Sequence, residues 1–200
     1  MAVNVDDFKK ALQLWASGVS VVTTTSEQLG PQGMTVTAFS SVSANPPQIL
    51  VCLNQNADTV NGIEASQHFA VNVLRADQQA VSNQFAGGAS QAERFANTAW
   101  TASASGTPLL DDSIVSLDCK VIEKVSAGSH WIVIGEIQEV ACRTGEPLLY
   151  FSGAYRELSA PSLSSVIFNE FWGSVTCTTQ LEYLTKILHY SSLNHSIYIL

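Results

Sequence analysis

The apolar residues of this chain occur in short segments rich in β-branched side chains, and turn residues separate one segment from the next. Ile49-Leu50-Val51-Cys52-Leu53, for example, has the length of a buried strand, whereas a transmembrane helix needs about 20 apolar residues. Val, Ile and Thr favour extended backbone. The pattern therefore predicts strands at residues 19–25, 34–41, 48–53, 69–74, 114–125, 131–140 and 148–151.

Short turns join most of these predicted strands. Residues 29–33 have the composition of a turn, and Asn45-Pro46-Pro47 cannot lie inside a central strand. Helical spacing and capping residues predict helices at residues 6–17, at 58–66 with Asp58 or Thr59 as the cap, and at 77–97 with an interruption at Gly87-Gly88. The fold predicted is mainly β, an antiparallel β-barrel with peripheral helices. A doubly wound dinucleotide fold is disfavoured, because there is neither a strand–helix repeat nor a GxGxxG motif.

Charge and cysteine usage exclude several classes of protein. Nine Lys and Arg against seventeen Asp and Glu give a net charge of −8, which excludes nucleic-acid binding by phosphate neutralisation and disfavours an anionic membrane surface. The N-terminus lacks the basic start and apolar run of a secretory signal. The four cysteines form no CxxC pair, so we predict no metal site and free thiols in the cytoplasm.

Composition changes at Ala160-Pro161. Residues 1–160 contain twenty-one alanines and residues 161–200 contain none. We therefore predict one domain over residues 1–160 and a C-terminal extension over residues 161–200. Two interpretations of the extension stay open: an appendage of separate origin, or a C-terminal helix, since Leu181, Leu184 and Leu188 have helical spacing.

The chain carries few groups for acid–base or nucleophilic chemistry. It has no GxSxG elbow, no P-loop and no HExxH, and its four histidines are scattered. A bound cofactor would supply the reactive chemistry in such a protein. A dense polar stripe is formed by Thr35, Thr37, Ser40, Ser41 and Ser43. It is either a solvated hairpin edge or a wall of neutral donors and acceptors suited to a flavin ring. A second polar cluster, residues 54–59, precedes a predicted helix whose N-terminus is suited to a phosphate.

Several blocks of sequence, in order along residues 5–158, resemble the flavin reductase-like family of small NAD(P)H:flavin reductases. The first blocks are Gly18 to Thr24, and Gly33 to Ser43 followed by Asn45-Pro46-Pro47. Later blocks include Phe69 to Leu74, Gly106-Thr107-Pro108-Leu109-Leu110, and Pro147-Leu148-Leu149-Tyr150-Phe151 with Gly153 and Tyr155. Any one block is weakly specific, but the ordered set is specific.

The resemblance implies an FMN-binding split barrel, a homodimer, and FMN or FAD bound near the dimer interface. The residues that it places around the flavin are Thr35, Val36, Thr37, Ala38, Phe39, Ser40, Ser41, Cys52, Leu53, Asn54, Asp58, Thr59, Ser82, Asn83, Phe85 and Ala86. His130 is the implied catalytic residue, beside the nicotinamide together with Gly153 and Tyr155.

The implied activity is hydride transfer from NAD(P)H to N5 of the flavin, with reduced flavin passing to a separate monooxygenase. No Arg is placed for a 2′-phosphate, which favours NADH over NADPH. The residues leave two other functions open: a flavin- or haem-binding split barrel without turnover, and an interaction protein that binds neither.

Overall fold

The computed structural model describes residues 3–159, so the predicted extension at residues 161–200 lies outside the described residues. Within residues 3–159 the helices are α1 (Val5–Gln13), α2 (Asp58–Ser66), α3 (Gln79–Ala86) and α4 (Gln91–Ala96). The strands are β1 (Ser17–Gly18), β2 (Ser20–Ser26), β3 (Gly30–Val36), β4 (Phe39–Ala44), β5 (Pro47–Asn54), β6 (His68–Val73), β7 (Trp100–Ala102), β8 (Pro108–Leu110), β9 (Val115–Ala127), β10 (His130–Cys142), β11 (Leu149–Phe151) and β12 (Ala154–Arg156). None of these helices is long and apolar enough to cross a membrane.

The main sheet has seven antiparallel strands in the order β3-β2-β6-β9-β10-β5-β4. Side chains from strands across this whole order meet in one buried cluster, for example Val36 of β3, Val71 of β6 and Val51 of β5. The sheet therefore curls around a single core, as a barrel does. The predicted antiparallel barrel with peripheral helices is confirmed. It is a split barrel, because its two edge strands, β3 and β4, are consecutive in the chain but do not pair.

The prediction of one strand at residues 34–41 is wrong. β3 ends at Val36 and pairs with β2, whereas β4 begins at Phe39 and pairs with β5. Thr37 and Ala38 carry the chain across the opening between the two edges. Alternation of side chains cannot show this break, because it records which residues are buried but not which strand is the neighbour.

The predicted turn at residues 29–33 is also wrong, since β3 already begins at Gly30. β3 accommodates Pro31 because it is an edge strand, where a missing N–H leaves no ladder bond unmade. Helix α4 covers part of this edge: Gly33 N donates to Gln91 Oε1 at 2.9 Å, and Arg94 Nη1 donates to Gly33 O at 2.7 Å. A side chain at position 33 would place its Cβ 2.8 Å from the Phe85 ring, so α3 needs glycine there to pack against β3.

Helix α1 begins at the cap Asn4, whose side chain accepts from Asp7 N at 2.8 Å. It ends at Gln13, four residues before the predicted end at residue 17. Ser152 N donates to Gln13 O at 2.8 Å, and the chain then enters β1, which pairs with β11. This long-range pairing overrides the helical spacing. Phe8, Leu12 and Trp15 remain exposed.

The other predicted elements are confirmed to within a few residues, including the interruption at Gly87-Gly88 and the long hairpin of β9 and β10. The short strands β1, β7, β8 and β12 were not predicted, because segments of two or three residues carry too little periodicity. The predicted cap of α2 is wrong: the N-cap is Ala57, which makes no side-chain capping bond.

A buried asparagine joins the centre of the sheet to the strands around it. Asn72 of β6 is fully buried, and its Nδ2 donates to Val21 O at 3.2 Å and to Thr23 Oγ1 at 3.0 Å. Its Oδ1 accepts from Leu110 N and Ser116 Oγ, each at 2.9 Å. One amide thus connects β2, β8 and β9, and all its bonding capacity is used.

Replacing Asn72 with Leu is expected to lower the free energy of unfolding by about 3 kcal/mol, because buried donors lose their acceptor. Asn97→Leu is the matched control. Asn97 is exposed at the end of α4, so this change is expected to cost less than about 0.5 kcal/mol. Urea unfolding followed by circular dichroism measures both, and equal losses in the two variants would contradict the role given to Asn72.

Candidate functional site

A cleft of about 420 Å³ lies at the open side of the barrel. Its lining comes from β3 and the crossing after it, from α3, and from the hairpin of β11 and β12. The lining residues are Val19, Thr35, Thr37, Ser82, Asn83, Ala86, Tyr150, Gly153, Ala154 and Tyr155. With Val19, which lies between β1 and β2, the fold thus brings four segments of the chain to one cleft, and seven of these ten residues were predicted site residues.

Hydrogen bonds hold the polar end of the cleft together. Thr35 Oγ1 donates to Ser82 O at 2.7 Å, which ties β3 to α3. The Tyr155 hydroxyl lies 2.9 Å from Ser82 Oγ and 2.8 Å from Asn83 Oδ1. These contacts place hydroxyl and amide groups from α3 and β12 side by side, facing the cleft.

Two tyrosines form one wall of the cleft. Tyr150 and Tyr155 are cross-strand partners in the β11–β12 hairpin, and their rings meet edge to face with centroids 5.5 Å apart. Gly153 has a φ of 75° in the turn between these strands, a conformation that glycine adopts without strain. The tight turn therefore sets the spacing of the two rings.

In the described part of the chain, no Asp, Glu, Lys, Arg or His lines the cleft. The donors and acceptors are hydroxyls, one carboxamide and backbone groups. Within residues 3–159 no cluster of His, Cys, Asp and Glu is arranged to hold a metal ion. The cleft is therefore suited to a planar polar ligand that is read by neutral hydrogen bonds.

The crossing between β3 and β4 continues the polar wall towards β5. Cys52 N donates to Ala38 O at 3.0 Å, and Asn54 at the end of β5 pairs with His130 at the start of β10. Ala38 and His130 thus flank β5 on opposite sides, and strand geometry puts them roughly 12 Å apart. Phe39, Ser40 and Ser41 follow on β4, beside Val51, Leu50 and Ile49.

His130 is exposed, and its Nδ1 lies 2.8 Å from Ser129 Oγ. It does not line the cleft, whereas Gly153 and Tyr155 do. The three residues expected around one nicotinamide are therefore not brought together within one chain. Tyr155 instead contacts the residues of α3.

Comparison with known proteins identifies the family. A family model described as the flavin reductase like domain matches residues 12–159. The chain belongs to the flavin reductase-like family. Curated relatives agree with this: an NADH-dependent FMN reductase, RutF, of Variovorax paradoxus (strain S110) is 36% identical over 156 residues, covering 78% of this chain and 86% of the relative.

Another curated relative and a solved structure extend the comparison. The reductase component of a 4-nitrophenol 4-monooxygenase/4-nitrocatechol 2-monooxygenase of Rhodococcus opacus is 34% identical, covering 74% of this chain and 78% of the relative. The structure of the NADH:FAD oxidoreductase SgcE6 of Streptomyces globisporus C-1027, in complex with NAD and FAD fragments, matches with a TM-score of 0.73 at 29% identity. That match covers 82% of this chain and 99% of the other.

Several residues that the family resemblance points to have side chains inside the protein. Val36, Leu53 and Phe85 belong to the hydrophobic core, so only their backbone atoms are available to a ligand. Thr59 is fully buried, and its hydroxyl has no hydrogen-bond partner. Asp58 is exposed and puts a carboxylate in the first turn of α2, which opposes a phosphate at that helix end.

Sequence reasoning missed three lining residues of the cleft, Val19, Tyr150 and Ala154. Tyr150 had a signal, since it stands in a family block five residues before Tyr155. Val19 also stands in a family block, Gly18 to Thr24, but nothing in it indicates a cleft, and Ala154 had no signal. A small apolar residue has the same appearance in sequence whether it faces a core or a cleft.

Proposed function

We propose that the protein is an NADH-dependent FMN reductase that passes reduced flavin to a separate monooxygenase. The observation that carries the proposal is the uncharged polar cleft between β3, α3 and the β11–β12 hairpin, in a chain of the flavin reductase-like family. Relatives named FMN reductase (NADH) support the choice of flavin and nicotinamide. The Rhodococcus relative, named as a reductase component, supports the monooxygenase partner.

The donor set of the cleft fits a flavin mononucleotide. The ring carbonyls and N5 of a flavin accept hydrogen bonds without needing a full charge nearby, and Thr35, Thr37 and the backbone from Ala38 to Ser41 offer such groups. Ser82 and Asn83, with the Tyr155 hydroxyl, offer neutral partners for the phosphate end. Cys52 and Asn54 extend the same surface along β5.

The bound flavin supplies N5 as acceptor of a hydride from C4 of the nicotinamide. The chain's own residues position the flavin and the nicotinamide and do not act as an acid or a base, because hydride transfer needs the two rings to be close and aligned. The polar wall orients the flavin, the tyrosine pair excludes water from one side, and exposed His130 orients the nicotinamide beyond the end of β5.

We also propose that two copies of the chain associate through the outer face of β5 and β10. Ile49, Val51 and Leu53 point into the core, so alternation turns Leu50 and Cys52 outwards, opposite Ile134 and Ile132. This outer surface is apolar and only half-buried, as expected where a partner packs. The free thiols of Cys52, Cys119 and Cys142 favour a reducing compartment, and we place the protein in the cytoplasm.

The mass of the purified chain in solution tests the association. Light scattering is expected to give twice the chain mass of 21.5 kDa. Ile132→Glu is expected to give the single-chain mass with the fold retained, because a charge would be buried without a partner. A single-chain mass for the unchanged protein would contradict this part of the proposal.

Oxidation of NADH by the purified protein, with and without added FMN, tests the proposed activity. We expect NADH oxidation that depends on added FMN and that is faster than the oxidation of NADPH under the same conditions. FMN binding without turnover would support the non-catalytic binding protein instead. A folded protein that neither binds FMN nor oxidises NADH would exclude both functions.

Replacing His130 with Ala is expected to lower kcat/KM for NADH by about tenfold and to leave the FMN dissociation constant within about twofold. His68→Ala is the matched control, because His68 Nδ1 is engaged by Ser66 O at 2.9 Å on β6, away from the cleft. Stopped-flow reduction of bound flavin separates the two effects. Unchanged reduction kinetics in the His130 variant would remove that residue from the site.

A further inference from the structure

A second cleft adjoins the first, and one residue lines both. The second cleft has about 280 Å³ and is lined by Ala76, Gln79, Leu148, Tyr155, Arg156 and Glu157. Tyr155 is the only residue that also lines the first cleft. Tyr155 is therefore the residue at which these two concave sites of the described chain meet.

Tyr155 is held in this position from three sides. Its hydroxyl lies within hydrogen-bond distance of Ser82 Oγ and Asn83 Oδ1. Its ring packs edge to face on Tyr150 and against the buried cluster that contains Leu148. A side chain that is held by contacts at its tip, edge and face is already ordered. It therefore loses little further conformational entropy when a ligand packs against it.

The sizes of the clefts correspond to different ligands. Pockets for small ligands occupy about 300–1,000 Å³, and the first cleft, at about 420 Å³, is near the lower end of that range. It suits a mononucleotide. A dinucleotide needs further volume beyond its first phosphate. The second cleft is lined by Tyr155, whose hydroxyl contacts Ser82 and Asn83, and by Gln79, which lies one turn of α3 before those two residues.

The second cleft has the chemistry of a nucleoside site. Arg156 and Glu157 bring opposite charges, and Gln79 offers both a donor and an acceptor. Because the carboxylate offsets the guanidinium, the lining favours a neutral, hydrogen-bonding ring over another phosphate. Adenosine has this character.

We propose that Tyr155 determines the flavin specificity of this protein: its ring closes the flavin cleft at the phosphate end, and the cleft behind it takes the adenosine of FAD when the ring is removed. The inference rests on the proposed function for the identity of the ligand. The proposal predicts that the preference for FMN over FAD is steric in origin. It also predicts that removing the Tyr155 ring increases the affinity for FAD.

Calorimetric titration of the protein with FMN and with FAD, in the absence of NADH, tests the inference. Tyr155→Val, which keeps a strand-forming residue on β12, is expected to tighten FAD binding by about tenfold, the scale on which pocket shape discriminates between ligands. Tyr155→Phe keeps the ring and is expected to retain most of the preference for FMN. Adding Gln79→Trp to Tyr155→Val fills the second cleft and is expected to reverse the gain.

Unchanged or weaker FAD binding in the Val variant would overturn the inference, because a tyrosine that only bonds the FMN phosphate gives that result. A gain that survives Gln79→Trp would also overturn it, since the adenosine would then lie elsewhere. Thermal melting checks folding, and Tyr155→Leu, which keeps apolar volume against Leu148, replaces the Val variant if that variant does not fold. FMN binding without NADH oxidation would contradict the proposed activity alone. FMN-dependent turnover, without tighter FAD binding in the Tyr155→Val variant, would contradict this inference alone.

Discussion

The rest of the structure depends on the way the sheet closes. β3 and β4 follow each other in the chain but lie at opposite edges of the sheet, so the chain has to cross the opening of the barrel at Thr37 and Ala38. Backbone N–H and C=O groups in such a crossing do not pair with a neighbouring strand on both sides. Polar side chains there face neither the core nor a neighbouring strand. A continuous barrel would have no such crossing beside the cleft. The site is thus a consequence of incomplete closure.

Covering the β3 edge is the second requirement, and it shapes the cleft. An unprotected edge strand invites pairing with other chains. Here Gln91 and Arg94 of α4 bond to Gly33 in place of a strand, and Phe85 of α3 packs on the same glycine. The packing that buries Phe85 holds Ser82 and Asn83 of the same helix against Thr35 and Tyr155. Edge protection and assembly of the site therefore use the same short helices.

The charge of the chain and the neutrality of the cleft are also related. A net charge of −8 repels anionic nucleotides at long range, so affinity has to arise from short, directed hydrogen bonds and from stacking. The cleft has those features: hydroxyls, one carboxamide and a pair of tyrosine rings. In the core, burial, and secondarily the neighbouring Asp118, raises the pKa of the Cys119 thiol to about 12.

The sequence by itself determined most of the longer strands, the family and much of the polar wall, because β-branched runs, turn residues and ordered motifs are local signals. Thr35, Thr37, Ser82 and Asn83 could be named from it for that reason. Only the tertiary structure decided that residues 34–41 split between two edges, that Phe85 and Thr59 turn inwards, and that Tyr155 lies beside Asn83 rather than His130. These features depend on which strands pair in the sheet and on which face of a helix packs against it. Such pairings join residues far apart in the chain, and no local pattern records them.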